Sequence, residues 1–183
     1  MIPETLTVVE RQILANQFRI LSKFGNDLPD FETKIAILEN GYTERYYEVF
    51  DVDPEEIPIE ICEETTQILY MFRRITTAIG TLSEIEKSAL DLDKLKFEGF
   101  DARRDPHYHY MNFMIDSMNL WPEYDGVYLN SDTTTSLLKY QRMLEYQTFL
   151  IDNDEYDMKK ENLEHLIDIV VNPRKKSAIK LVI

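Results

Sequence analysis

Residues 59–80 read IEICEETTQILYMFRRITTAIG, and their apolar side chains recur every three or four positions. That interval is the period of one face of an α-helix. Proline is tolerated in a first helical turn but not in a helix interior, so Pro58 is compatible with a helix start here. Gly80 supplies a stop signal. The sequence therefore predicts a long helix from about Ile59 to Ile79, with one stripe made by Ile61, Thr65, Ile68, Phe72, Ile75 and Ile79.

Two shorter helices are predicted upstream of this long one. Thr7-x-x-Glu10 is a capping box, in which the hydroxyl and the carboxylate satisfy backbone N–H groups at a helix start. The helix that follows ends at Gly25, and we expect its apolar stripe to face the core. The stripe consists of Val9, Ile13, Ile20 and Phe24. A second helix is predicted from Asp30, a good N-cap, to Asn40-Gly41, where glycine suits a left-handed helix end.

Local signals also predict helices downstream. Ser83-x-x-Glu86 is a second capping box, and Asp105-Pro106 places an N-cap residue before a first-turn proline. One further helix is predicted to begin at about Thr133, and a last helix is predicted to end at Asn172-Pro173. The segment 92–105 lacks a sustained period, so we expect it to be a loop.

The predicted fold is all-α: one domain folded as an orthogonal or irregular bundle of about seven to eight helices, with little or no strand. We expect this helical domain to span residues 1–173. Residues 174–183 then form a tail that mixes apolar residues with basic ones and contains no acid. Its bases are Arg174, Lys175, Lys176 and Lys180.

Composition excludes several classes of protein. The 183 residues include 20 Lys+Arg and 34 Asp+Glu, and the resulting net charge of −14 disfavours nucleic acid as a partner. Cys62 is the single cysteine, which excludes an internal disulfide and fits a reducing cytoplasm. The five glycines are widely spaced, which excludes a phosphate-cradling loop. Because no apolar run approaches about 18 residues, we expect a cytoplasmic protein without a membrane partner.

The histidines and the acidic residues do not form a recognisable reactive centre. His107 and His109 are two positions apart and would point in nearly opposite directions on a helix, so they are not a metal-chelating pair. We expect one or both at the surface. The glutamates near the start of the long helix are stabilised there by the positive end of the helix dipole. Their negative charges disfavour a reactive thiolate at Cys62, so we expect an inert thiol. These glutamates are Glu60, Glu63 and Glu64. The sequence therefore predicts no catalytic residue, no metal ligand and no cofactor.

A charged segment before Pro106 is the candidate site for an anion or a partner. Asp101, Arg103 and Arg104 lie next to a predicted helix N-terminus, where arginines can hold an anion. Lys139 and Arg142 in a later helix complete the candidate set. The alternative is a surface loop in which arginine and aspartate pair with each other.

Four segments occur in an order and at separations that resemble the YfbU family of bacterial proteins. They are Glu10-Arg11 with Ile13-Leu14 and Asn16-Gln17-Phe18, then Glu39-Asn40-Gly41-Tyr42, then Lys96-Phe97-Glu98-Gly99-Phe100-Asp101-Ala102, and finally Lys139-Tyr140-Gln141-Arg142-Met143-Leu144. The resemblance implies a mostly helical cytoplasmic protein whose activity is unassigned, and it supplies no catalytic residues. Its polar positions are candidates either for binding or for buried hydrogen bonds between helices. Besides Asp101, Lys139 and Arg142, the polar set contains Arg11, Asn16, Gln17 and Gln141.

Three functional hypotheses follow. The first is a non-enzymatic regulatory or protein-interaction module that self-associates or binds an unknown protein partner, with its aromatic residues as interface anchors. The second is an enzyme of unrecognised type or a small-anion-binding protein that uses the Asp101–Arg104 loop. The third is a weak nucleic-acid binder that uses the basic tail.

Overall fold

The structure is a computed structural model, and the residues it describes are 3–24, 31–50, 52, 55–131 and 136–173. The chain forms two compact units, residues 1–56 and 57–183. Residues 174–183 lie outside the described part, so the boundary expected at residue 173 stays a prediction.

The first unit is a pair of helices followed by a short helical turn. Helix α1 is Val8–Leu21, helix α2 is Phe31–Asn40, and a 3₁₀-helix follows at Thr43–Glu48. The two α-helices pack against each other over a small apolar core. This core consists of Ala15, Ile37, Leu38, Tyr46 and Val49.

Helix α1 begins at the predicted capping box. The backbone N–H of Thr7 donates to the Glu10 carboxylate at 2.7 Å, and the N–H of Glu10 donates to the Thr7 hydroxyl at 3.2 Å. These two bonds confirm the predicted start. Helix α2 ends as predicted at Gly41, whose φ is +68°. The predicted signals at Gly25 and Asp30 lie outside the described residues.

The stripe predicted to face inward on α1 is exposed instead. Val9, Ile13, Ile20 and Phe24 have relative exposures of 67%, 52%, 55% and 84%. The face that packs carries the fully buried Ala15 flanked by Leu14 and Phe18. The prediction was wrong because Ala15 and Leu14 fit against the neighbouring helix, and helical spacing alone does not indicate which of two apolar stripes has a partner.

The second unit contains the remaining helices. They are α3 (Ile59–Thr81), α4 (Glu84–Ser88), α5 (Pro106–Asn112), α6 (Ser136–Asp152) and α7 (Lys160–Val171). Helix α5 continues without a break as a π-helical turn, Phe113–Ser117. Two 3₁₀-helices, Leu92–Leu95 and Pro122–Tyr124, lie in the connections.

Helix α3 runs through the centre of this unit, and the middle of its predicted apolar stripe is buried. Ile68, Phe72 and Ile75 are each at most 1% exposed, and they pack in the main hydrophobic cluster. Helices α5, α6 and α7 all contact α3. Gly80 is predicted to stop this helix, but the helix continues through Gly80 and ends at Thr81.

The all-α fold is confirmed, with seven α-helices and the π-helical turn among the described residues. The segment 92–105 is mostly irregular, as expected, and its backbone meets a later loop in one isolated bridge between Phe100 and Asn130. None of the described helices is both long and apolar enough to cross a bilayer.

Candidate functional site

The most exposed apolar surface on a described helix of the first unit is one side of α1. We call Val9, Ile13, Ile20 and Phe24 the outer stripe. At about 100° per residue Val9, Ile13 and Ile20 fall within an arc of about 40°, on the side of the helix opposite Ala15, and Phe24 follows in the turn after α1. Asn16 interrupts the stripe, and its side-chain oxygen accepts hydrogen bonds from Gln12 at 3.0 Å and Arg19 at 2.8 Å. The outer stripe is therefore an apolar seam that one polar position, Asn16, interrupts in the middle.

The Asp101–Arg104 loop is held together by its own carboxylates. Asp101 is buried, with 7% exposure, and it accepts a hydrogen bond from the N–H of Arg103 at 2.9 Å. Asp105 occupies the N-cap position of α5, but its side chain accepts from the N–H of Asp101 at 3.0 Å instead of capping the helix. Arg104 lies 3.9 Å from the Asp101 carboxylate. These contacts match the pattern of a loop with internal arginine–aspartate pairing.

Lys139 and Arg142 on α6 contact other parts of the unit. The Lys139 ammonium donates to the Glu98 carboxylate at 3.2 Å, and its side chain is only 14% exposed. The Arg142 guanidinium donates to the carbonyl of Pro173 at 3.2 Å and to that of Leu138, one turn earlier on α6, at 3.1 Å. Arg142 thus connects α6 to the end of α7.

The five residues predicted to bind an anion do not form one network. Arg104 lies near Asp101, Lys139 contacts Glu98, and Arg142 contacts two backbone carbonyls, so these cations share no contact partner among the described residues. Arg104, Lys139 and Arg142 thus have acceptors close to their own positions in the fold, and Arg103 is exposed. A shared anion site built from all five residues therefore stays a prediction.

The candidate polar positions serve separate local contacts. Arg11 donates to the carbonyl of Leu38 at 3.0 Å and to that of Glu39 at 3.3 Å, so it satisfies the end of α2. Gln17 is exposed on α1. Gln141 lies in the second unit, where its amide donates to the Glu64 carboxylate at 3.0 Å. The candidate polar residues therefore do not form a single cluster; they are Arg11, Asn16, Gln17 and Gln141.

Glu64, His107 and Gln141 form a polar junction between α3, α5 and α6. The Nε2 atom of His107 lies 2.7 Å from the Glu64 carboxylate, and the ring is 2% exposed. Phe100 stacks on the ring at a centroid distance of 5.2 Å. The other ring nitrogen, Nδ1, is buried and has no hydrogen-bond partner among the described residues. One carboxylate thus connects three helices through an imidazole and an amide.

This junction was not found from the sequence. The surface position expected for at least one histidine holds for His109, which is exposed, while His107 is buried. Glu64 was assigned to the helix dipole, although it pairs with His107. One usable signal exists: His107, Met111 and Met114 are spaced four and three residues apart, so the histidine shares its helix face with buried methionines.

No group of three or more His, Cys, Asp and Glu side chains that could hold a metal ion occurs in the described part of the chain. Cys62 is half-buried, beside the glutamates at the start of α3. Tyr140 is fully buried below the Glu98 backbone, whose N–H donates to the Tyr140 hydroxyl at 3.0 Å. Burial raises the pKa of this phenol.

The helical fold and these contacts place two of the family-like segments side by side, because Glu98 contacts both Lys139 and Tyr140. A family model described as the YfbU domain matches residues 4–169. The match covers most of the chain and both compact units. The chain belongs to the YfbU family.

Proposed function

We propose that this YfbU-family chain is a non-enzymatic protein-interaction module that self-associates through the outer stripe of α1. The single observation that carries the proposal is the exposure of three large apolar side chains on one side of this helix and of Phe24 in the turn after it. Large exposed apolar side chains grouped in this way are typical of interaction sites. A second copy of the chain is the partner that always presents the same stripe.

The energetics favour association through this seam. Burying a Val, Ile or Phe side chain contributes about 1.5–3 kcal/mol relative to leaving it exposed, and a symmetric contact would bury each of the four twice. A single helix pair is smaller than a standard interface, so we expect weak association, in the micromolar range. The polar Asn16 inside the stripe would fix the pairing of the helices at a cost in stability.

The local charge at α1 differs in sign from that of the whole chain. The chain carries a net charge of −14, which opposes association of two copies in general. From Val8 to Phe24, however, there are three bases and one acid, a local balance of +2. The bases are Arg11, Arg19 and Lys23, and the acid is Glu10. Arg19 is already paired with Glu39, so the charge that two such segments bring to a symmetric contact is small, and the apolar side chains supply the association energy.

The test is the oligomeric state of charge-substituted variants. We expect the native chain to form a dimer at micromolar concentrations in light scattering. Ile13→Asp and Ile20→Asp place a carboxylate in the apolar seam, so each should raise the dissociation constant by at least about tenfold.

Ile85→Asp is the matched control. Ile85 is 82% exposed on α4, outside the first unit, so this variant should retain the association of the native chain. Circular dichroism would establish that all three variants keep their helix content. A native chain that stays monomeric at the highest concentration tested would contradict the proposal, as would an equal loss of association in the Ile85 variant.

The two alternative roles stay predictions. An anion at the Asp101–Arg104 loop would compete with the carboxylates that already accept bonds there. The basic tail that carries the nucleic-acid hypothesis lies outside the described residues. No described feature supports either of these roles as directly as the outer stripe supports self-association.

A further inference from the structure

The apolar face of α7 loses its cover over the last turn of the helix. Leu163 and Leu166 are fully buried, and Val170 continues the same face four residues after Leu166. Val170 packs against the main hydrophobic cluster but is only partly buried. The apolar stripe of α7 therefore extends beyond the described residues that cover it.

The same end of α7 is apolar on three sides. At about 100° per residue, Ile167 and Val171 lie on one side of the helix. Val170 and Ile169 lie on the second and third sides, and Asp168 occupies the remaining one. All four apolar side chains keep exposed surface, and Val171 is 53% exposed. A helix that is apolar on most sides is typical of a buried element, so we expect another segment to cover this turn.

The chain leaves α7 beside a further exposed apolar side chain. The Arg142 guanidinium donates both to the carbonyl of Pro173 at 3.2 Å and to that of Leu138 at 3.1 Å. One side chain thus holds Pro173 close to Leu138, which is 59% exposed on α6. We call Leu138, Val170 and Val171 the apolar end.

The outer side of α7 is acidic. Glu161, Glu164 and Asp168 are three and four residues apart, so they share one side of the helix. We call these three residues the acidic stripe. Lys160, at the start of α7, pairs with Glu164 at 3.1 Å, and no Lys or Arg occurs in residues 161–171. Negative charge therefore lies next to the apolar end.

The next ten residues of the chain match this surface in charge and in apolar character. Residues 174–183 read RKKSAIKLVI, with four bases, five apolar residues and no acid. Opposite charge and shared apolar character both favour contact with α7. At about 3.3 Å per extended residue the tail reaches about 33 Å, whereas α7 is about 18 Å long. The tail is therefore long enough to return along the helix.

The covalent connection favours the tail over a separate partner. Arg142 holds Pro173 at α6, so the tail starts next to the apolar end and docks without a loss of translational freedom. A short connection gives a tethered segment an effective concentration in the millimolar range. A second copy or another protein would have to compete with the tail at that concentration.

We propose that residues 174–183 turn back and dock on the apolar end, with their apolar side chains against Leu138, Val170 and Val171 and their bases along the acidic stripe. The docked tail covers the apolar surface that the described helices leave open. It also withholds its bases from nucleic acid and from anionic membranes. The surface belongs to the second unit, so this inference goes beyond the proposed self-association through α1 and does not depend on it.

The experiment is limited trypsin digestion of the full-length chain, with loss of the tail followed by mass spectrometry. The four bases of the tail are trypsin sites, and docking would shield them. A synthetic peptide of residues 172–183 is the reference, because it has the same sites without the apolar end. We expect the tail of the native chain to be cleaved at least about tenfold more slowly than the peptide. Added salt should reduce this difference, since it screens the contact between the bases and the acidic stripe.

Substitutions in the apolar end then locate the docking surface. Leu138→Ser and Val171→Ser each remove an exposed apolar side chain and leave every trypsin site of the tail unchanged. Each should speed cleavage of the tail at least about threefold. Leu120→Ser is the matched control, because it makes the same change at a position that is 45% exposed and lies outside α6 and α7, so cleavage should keep its native rate. Circular dichroism checks that each variant keeps its helix content.

Several results would overturn the proposal. These are a tail cleaved as fast as the peptide, native cleavage rates in both variants of the apolar end, and an equal increase in Leu120→Ser. Protection that is lost on dilution would assign the tail to a second copy, and protection that requires added RNA or anionic vesicles would assign it to those partners. Ile13→Asp, which tests self-association, should leave the protection of the tail intact, and this outcome separates the two proposals.

Discussion

Gly99 is the residue at which the backbone of the second unit leaves no room for a side chain. Its φ is +86°, and a Cβ atom placed there would lie 1.9 Å from the carbonyl oxygen of Leu129. The two loops meet at this point, where the N–H of Ser131 donates to the carbonyl of Phe100 at 3.0 Å. Glycine is needed here for both the left-handed conformation and the close approach of two backbones.

We therefore expect Gly99→Ala to lower the free energy of unfolding by about 2–4 kcal/mol, since it combines positive φ with a clash against backbone. Gly80→Ala is the control, because no heavy atom lies within 4 Å of its added Cβ and the position is inside α3. That variant should gain about 0.5–1 kcal/mol. Urea denaturation measures both, and a Gly99 variant as stable as the native chain would refute the argument.

Among the helices, α3 carries both the main core and the polar junction. Its buried face packs in the apolar cluster, while Glu64 near its start pairs with His107 of α5 and Gln141 of α6. Breaking such a junction from one side leaves the other buried groups without partners. Glu64 is therefore the point at which three helices are connected by polar contacts.

We expect Glu64→Ala to destabilise the chain by about 1–3 kcal/mol, because His107 and Gln141 both lose their acceptor. Glu63→Ala is the matched control: the same change is made one residue earlier, at an exposed position, and should alter stability by no more than about 0.5 kcal/mol. Chemical denaturation of both variants tests the difference. Equal effects would mean that the junction contributes nothing specific.

For the molecule as a whole, the phenols of Tyr124 and Tyr140 contribute to the response to high pH. Burial raises the pKa of Tyr124 to about 12 from the ordinary value of 10.0, and it also raises the pKa of Tyr140. A raised folded-state pKa means that the native chain holds these protons more tightly than the unfolded chain does. Their contribution is complete below the unfolded pKa and is lost as the pH rises through the folded one.

We therefore expect the free energy of unfolding to fall as the pH rises from about 10 to 12, since the unfolded chain releases tyrosine protons first. Lysine deprotonation acts in the same range, so Tyr124→Phe serves to separate the two effects and should reduce the slope. Urea unfolding at several pH values, with tyrosinate absorbance as a second readout, tests this. An unchanged slope in the variant would contradict it.

The capping boxes and the long helix could be predicted because they depend on interactions between residues that are close in sequence. Thr7 and Glu10 bond within one helical turn, and the stripe through Ile68, Phe72 and Ile75 needs only a partner on one face. The polar junction could not be predicted in the same way, because Glu64 and Gln141 are separated by 77 positions in sequence. Neither residue carries a local signal for the other.

The sequence by itself determined that the chain is helical, where α1, α3, α4 and α5 begin, and which family it belongs to. Those properties depend on residues within a turn or two of each other, or on the order of short segments. Only the tertiary structure decided that the stripe with Ile13 and Ile20 faces outward, that His107 is buried against Glu64, and that Arg142 connects α6 to the end of α7. The physical reason is that burial and pairing depend on which distant surfaces meet, and helical periodicity does not encode that.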